Sequence, residues 1–238
     1  MDDRIAQTER LTNRERQLVD YYDQLADSYD SNRFGNSYGR YVDAQERRLL
    51  KRWLNQVRGG KILDLACGSG RLLDLASCGL DASPAMVHIA RRKHPEKEVR
   101  CGLAKDVAEF GTPFDAIFCA HLFMHLQRKE IEAVLRSCHE QLRPDGLLIF
   151  DAPSAHRRKL TGFRSSGWHA GTALTFDDVA AITGSKWRLK ASRGILFFPV
   201  HRLPSGTRPL VRRLDDFIGM TPAKTWSSYL FFCLERKQ

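Results

Sequence analysis

The stretch KILDLACGSG, residues 61–70, decides how this chain folds. Its first six residues are apolar except for Lys61 and Asp64 and read as a strand. Gly68 and Gly70 then form a loop that opens the next element. In that context glycines let a ligand approach the backbone and the N–H groups of a helix start. The dinucleotide fingerprint is not met, because Leu73 stands where a third glycine or alanine is required, and the Gly-Lys-Ser/Thr of a P-loop is absent. Asp64 sharpens the reading: a carboxylate before the loop repels a pyrophosphate and attracts a ligand that carries an ammonium and a sulfonium. The competing reading is a tight turn that holds nothing.

Outward from this loop the pattern alternates. A helix from about Arg71 leads to a short segment ending at Asp81, and Ser83 as N-cap with Pro84 behind it opens another helix. An acidic side chain at the tip of a second strand can accept both hydroxyls of a ribose, although Asp81 also suits a simple turn or cap. Segments 99–103 and 114–120, a helix over 128–142 and a strand over 146–151 continue the alternation expected of a parallel sheet with helices on both faces. Thr175 to Asp178 has the form of a capping box opening a helix to about Ile182. Two late strands, 187–200 and 227–236, flank a helix over 209–219. Upstream, residues 4–28 and 40–58 read as helices joined by a turn-rich stretch, 31–39. Leu49, Leu50, Trp53, Leu54 and Val57 recur at helical spacing, so the second helix should dock on a core. Residues 1–60 thus form a helical cap on a core of residues 61–238, with an insertion at about 153–172.

The chain has 238 residues, 42% hydrophobic and 28% charged, which suits one folded domain and excludes disordered or collagen-like classes. Its longest apolar runs, such as 146–150 and 195–200, fall far short of the ~20 residues of a membrane span, and it opens Met-Asp-Asp, so a cytoplasmic location is expected. Six cysteines without a Cys-x-x-Cys pair indicate reduced, mostly buried thiols and no metal site. The net charge of +10 is concentrated: residues 151–238 hold 15 basic and 6 acidic groups, whereas the rest is nearly balanced. This excess reads either as a solvated basic surface or as a region that attracts an anion, whether a small substrate or a nucleic-acid backbone.

The segments KILDLACGSG, GLDASPAMVHIARRK, FDAIFCAHLFMHL and LRPDGLLIFDAP, in this order, resemble the motifs of class I S-adenosylmethionine-dependent methyltransferases, in particular the small-molecule "type 11" branch. The resemblance covers residues 20–152 well and the remainder loosely. It implies a Rossmann-like, doubly wound, seven-stranded α/β sheet, mostly parallel with a late antiparallel strand, and S-adenosylmethionine as cofactor. By the same resemblance Asp64, Ala66, Gly68 and Gly70 surround the methionine part, Asp81 holds the ribose and Met86 touches the adenine. Leu103, Ala104, Lys105 and Asp106 line the adenine edge, and Ala120 and His121 lie under the methionine moiety. Tyr22, Tyr29 and Phe34 close over the site. Three departures stand out: Ala66 replaces the first loop glycine, only ten residues separate Gly70 from Asp81, and Leu103 replaces an acidic residue.

Methyl transfer is an in-line displacement, so alignment supplies much of the rate and a base is needed only where the acceptor must lose a proton. His121, His125, His156, His169 and His201 are candidates for that base, with His121 and His169 preferred for their positions. His125, in the apolar run LFMHL, reads as a packing residue, and the arginine-rich segment 153–172 reads as a substrate lid or a surface loop. The expected activity is methylation of a small or medium-sized acceptor, anionic if the basic region serves the site. An RNA methyltransferase and an inactive partner protein of the same fold are the alternatives. Neither the acceptor nor the oligomeric state is legible.

Overall fold

The computed structural model describes residues 11–57, 59–111, 113–165 and 171–237. Seven strands form one sheet in the order β3-β2-β1-β4-β5-β7-β6: β1 (Ile62–Leu65), β2 (Cys78–Asp81), β3 (Glu98–Cys101), β4 (Phe114–Cys119), β5 (Leu142–Pro153), β6 (Trp187–Ile195) and β7 (Tyr229–Arg236). The first five pair in parallel, and β7 inserts antiparallel between β5 and β6. The expected sheet is therefore present. Its strand order reverses between β1 and β4, and in such sheets a crevice opens at that switch point beyond the carboxyl ends of the strands.

Alternation along the strands divides the core in two. Leu63, Ile117, Leu148 and Phe232 face one side, where they meet Ile131, Val134 and Leu135 of helix α4 (Arg128–Gln141). Ile62, Phe118, Ile149 and Phe231 face the other, where they meet Leu49, Leu50, Trp53 and Leu54 of α2 (Ser37–Leu54). Each of these α2 side chains is buried and contributes about 1.5–3 kcal/mol, so α2 is an integral wall of the core. Helix α1 (Asn13–Phe34), opened by a Thr12/Glu15 capping box, buries only Val19 and Ala26 and lies over the strand tips instead. The six cysteines are free thiols, five of them buried.

The structure corrects five local expectations. The stretch 31–39 is mostly helical: α1 runs to Phe34 and α2 starts at Ser37, with Asn36 Oδ1 accepting from Gly39 N–H at 2.8 Å as the N-cap. After Gly70 there is no full helix, only one 3-10 turn, Leu73–Leu75, because ten residues cannot hold a helix and still return to the sheet. The turn's carbonyls are bonded from elsewhere as well: Leu73 O, which accepts from Ala76 N–H (3.1 Å), also accepts from Lys97 Nζ at 2.9 Å, and Ala76 O accepts from the same ammonium. Strand β5 begins at Leu142 rather than 146, turning through Asp145 at φ 62°. Segment 153–172 contains α5 (Ala155–Thr161), N-capped by Ser154, whereas the late strand expected to reach residue 200 stops at Ile195. The remaining helices, α3 (Pro84–Lys93), α6 (Phe176–Thr183) and α7 (Arg208–Ile218), fall where the caps and periodicity place them.

Candidate functional site

The loop after β1 is shaped by three residues in the left-handed region, Ala66 (φ 60°), Gly68 (φ 53°) and Gly70 (φ 80°). Alanine tolerates this conformation at a cost of roughly 1–2 kcal/mol, so Ala66 fills the first glycine position under mild strain. Gly68 N–H donates to Asp81 Oδ2 at 2.7 Å, and Ser83 N–H donates to Asp81 Oδ1 at 2.9 Å. The carboxylate at the tip of β2 thereby ties the glycine loop to the start of α3. A Cβ placed on Gly68 would meet no atom within 4 Å, since that side of the loop faces a cavity of about 340 Å³.

The cavity lies beyond the carboxyl ends of β1, β2 and β4. Ala66, Gly68, Asp81 and Met86 form one wall, Leu103 and Ala104 another, and Ala120 and His121 the floor. Helix α1 roofs it through Tyr22 and Tyr29 and is pinned at three points. Asp23 accepts from the Ser83 hydroxyl and from Ala85 N–H (3.1 Å), Asp30 accepts from the Ser69 hydroxyl (2.6 Å), and Glu15 pairs with Lys105 (2.9 Å). A fourth link is the Tyr22 hydroxyl, 2.9 Å from His125 Nε2. A second cavity of about 120 Å³ adjoins the first and shares Tyr22, Tyr29, His121 and His125 with it. Phe34, Tyr38 and Tyr229 give it further aromatic walls, and Arg33 is its cation.

Beneath the site lies a buried charge network. Glu46, from α2, places Oε1 2.7 Å from His121 Nε2 and accepts from Arg71 Nη2 at 2.7 Å through Oε2. Asp151, at the end of β5, accepts from His121 N–H at 2.5 Å, with its other oxygen 3.6 Å from Nδ1. Arg71 also pairs with Asp43 (2.6 Å) and stacks on the Phe34 ring. Burial alone would push Glu46 up, but His121 and Arg71 bring it down to about 2. Burial works against a charged His121, yet Glu46 and Asp151 hold its pKa above the ordinary range. Asp64 differs: burial raises it well above the usual carboxylate range, Arg71 offsets this only in part, and its Oδ2 is buried without a hydrogen-bond partner. Burial also raises Tyr22 and Tyr29, which stay protonated hydrogen-bond donors.

The structure thus brings Tyr22, Tyr29, Ala66, Gly68, Asp81, Met86, Leu103, Ala104, Ala120 and His121 to one cavity. Three expected residues are absent from its wall. Asp64 sits under the loop, Gly70 packs against Ala90 and His94 of the α3 end, and Asp106 turns back to accept from Leu103 N–H (3.2 Å). His169 lies outside the described residues. His121 reaches the floor, but its ring nitrogens face carboxylates that favour its protonated form, so it is clamped between acids rather than set as a free base. His125, read from sequence as packing, lines both cavities; only its pairing with Tyr22, 103 residues away, reveals it. Glu46, Asp151 and Arg71 give no local signal either.

Comparison with known proteins agrees with this geometry. Residues 62–146 match a methyltransferase domain family. The chain is 31% identical over 150 residues to a demethylmenaquinone methyltransferase of Thermotoga maritima, covering 59% of this chain and 64% of that protein. It therefore spans less than two thirds of that relative's length. It is 29% identical over 221 residues to a dTDP-3-amino-3,6-dideoxy-alpha-D-glucopyranose N,N-dimethyltransferase of Streptomyces fradiae, covering 85% and 86% of the two chains. Among solved structures, magnesium protoporphyrin IX methyltransferase of Synechocystis with bound S-adenosylhomocysteine superposes with TM-score 0.63 at 16% identity, over 94% of this chain and all of that one. A likeness at that identity speaks for the fold.

Proposed function

We propose that this chain, whose residues 62–146 match a methyltransferase domain family and whose fold is that of class I S-adenosylmethionine-dependent methyltransferases, methylates a small, ring-shaped acceptor. The observation that carries this reading is the pair of adjoining cavities with a common wall of Tyr22, Tyr29, His121 and His125. Two reactants held in adjoining cavities are brought together as an in-line displacement requires. S-adenosylmethionine supplies a methyl group activated by a positively charged sulfur. Asp81 is set to accept from its ribose hydroxyls, Met86, Leu103 and Ala104 to enclose its adenine, and Ala66, Gly68 and Ala120 to flank its methionine part. The partnerless Asp64 Oδ2 fits such a ligand: burial disfavours its charge in the free protein, and a cation bound above the loop would favour it.

The acceptor belongs in the smaller cavity. Its 120 Å³ is close to the ~150 Å³ that holds a benzene ring in an engineered cavity, and its aromatic walls favour a flat ring with Arg33 to receive an anionic substituent. The relatives named for a quinone and for a nucleotide-linked amino sugar are ring compounds too. Where the acceptor loses a proton, Tyr22 and His125 carry it: the Tyr22 oxygen accepts from the acceptor while its own proton passes to His125 Nε2, 2.9 Å away, in the tautomer that leaves this nitrogen unprotonated. His121 instead holds Glu46 and Asp151, and with them the floor of the site.

Transfer of a labelled methyl group from S-adenosylmethionine to a panel of phenolic, quinol and amino-sugar acceptors tests this. Label should pass to at least one ring acceptor, and Tyr22→Phe should slow transfer to a hydroxylated acceptor about 100-fold. Equal turnover in Tyr22→Phe would remove the proton relay, and transfer to none of them would defeat the assignment of the smaller cavity.

A further inference from the structure

Helix α7 is built inside out. Its inward face is acidic: Asp215 accepts from the Tyr41 hydroxyl (2.9 Å) and Phe197 N–H (2.9 Å), and Asp216 bonds Gln45 (3.2 Å) and pairs with Arg48 and Arg193. Its outward face is apolar, with Leu210, Leu214 and Phe217 at i, i+4 and i+7, 74%, 52% and 61% exposed. A solvated helix shows the reverse arrangement. The stripe continues through Met220 and Trp226, both exposed, on the 3-10 turn Pro222–Trp226 and the residues before it. Helix α5 packs on the same turn, where Ser154 Oγ donates to Thr225 O at 2.5 Å, and adds the exposed Leu160 and Phe163. Contiguous apolar surface of this kind marks an interaction site.

The surrounding charge selects the partner. Arg213, Arg202, Lys159 and Arg164 are exposed around the stripe. Within residues 154–165 and 199–228 the only acidic side chains are Asp215 and Asp216, both turned inward and bonded. We infer that this face docks on an anionic lipid surface, with the leucine, phenylalanine and tryptophan side chains entering the boundary between headgroups and acyl chains and the arginines and lysines meeting lipid phosphates. Interfacial helices carry this combination of an apolar stripe, basic flanks and aromatic anchors. A second copy of the chain is a poorer occupant, because two such faces would bring like charges together. Docking is peripheral: among the described residues no helix is long and apolar enough to cross a membrane. The face also adjoins the smaller cavity. Tyr38 in its wall touches the His201 ring, and Arg208 of α7 donates to Ser37 Oγ at 2.5 Å, so a docked molecule holds that cavity beside the lipid.

Flotation of the full chain with vesicles of phosphatidylcholine, with and without phosphatidylglycerol, tests the inference, which stands independently of methyl transfer. The chain should float with the anionic vesicles only and be released by high salt. Leu214→Ser combined with Phe217→Ser should weaken binding roughly tenfold or more, with the thermal melt unchanged because both side chains are exposed. An unbound wild type on anionic vesicles, or equal binding by the double variant, would overturn the proposal. So would a dimer in solution that the double variant dissolves while neither protein floats, since the face would then belong to a second copy.

Discussion

Asp64 is the residue at which folding and binding pull in opposite directions. A carboxyl that is buried, lacks a partner for one oxygen and has a pKa well above the usual range binds its proton more tightly folded than unfolded. Its sign is therefore unfavourable: stability falls as pH rises above the unfolded value of about 3.9, until the folded group has also ionised. Asp64→Asn should raise the Tm of the ligand-free protein at neutral pH by a few degrees and weaken S-adenosylmethionine binding by roughly 10- to 100-fold. A melt and a titration on the same sample measure both, and a variant that melts lower and binds normally would make Asp64 purely structural. The Glu46–His121–Asp151 network is favourable where Asp64 is unfavourable, but its His121 contribution likewise declines as pH rises. His121 is raised by its carboxylates, so its contribution is complete below about pH 6.5 and is lost as pH rises through its folded value. Glu46, brought down to about 2, keeps its contribution until strongly acid pH. His121→Gln should accordingly destabilise most at neutral pH and below, and the difference in Tm from wild type should shrink as pH rises above neutrality.

At the scale of elements, what was legible in the chain is what is encoded locally. Strand β1, its glycine loop and the Ser83-Pro84 helix start are read correctly because caps, turns and alternation need only neighbouring residues. The missing helix after Gly70 is foreshadowed by the short connection, but its replacement depends on Lys97, more than twenty residues away, supplying donors to Leu73 and Ala76. The same limit hides His125, Glu46 and Asp151, whose meaning arises only when α1 and α2 close over the strand tips. Asp106 illustrates the converse: its acidic side chain looks like a ligand contact, yet the cheapest partner is the amide of Leu103 three residues back. The roof is the element to test. Helix α1 contributes little buried apolar surface and is held by Asp23, Asp30 and Glu15. Asp23→Ala should speed amide hydrogen exchange along α1 while leaving α2 protected, since α2 is part of the core. Equal loss of protection in both helices would show that the two move as one unit.

The whole molecule is polarised. One end of the sheet, beyond the carboxyl ends of β1, β2 and β4, gathers carboxylates and aromatic rings around two adjoining cavities, and the last third of the chain carries most of the excess positive charge and an exposed apolar stripe. Each part matches the chemistry of a partner proposed for it: a cationic nucleoside donor, a flat acceptor and an anionic lipid surface. Calorimetric titration with S-adenosylhomocysteine, for wild type and Asp81→Ala, measures the first of these directly. One-site binding to the wild type that Asp81→Ala weakens by at least about tenfold is the predicted result, since Asp81 both lines the cavity and fastens its glycine loop. No heat with the wild type at millimolar ligand, or undiminished affinity in Asp81→Ala, would contradict it.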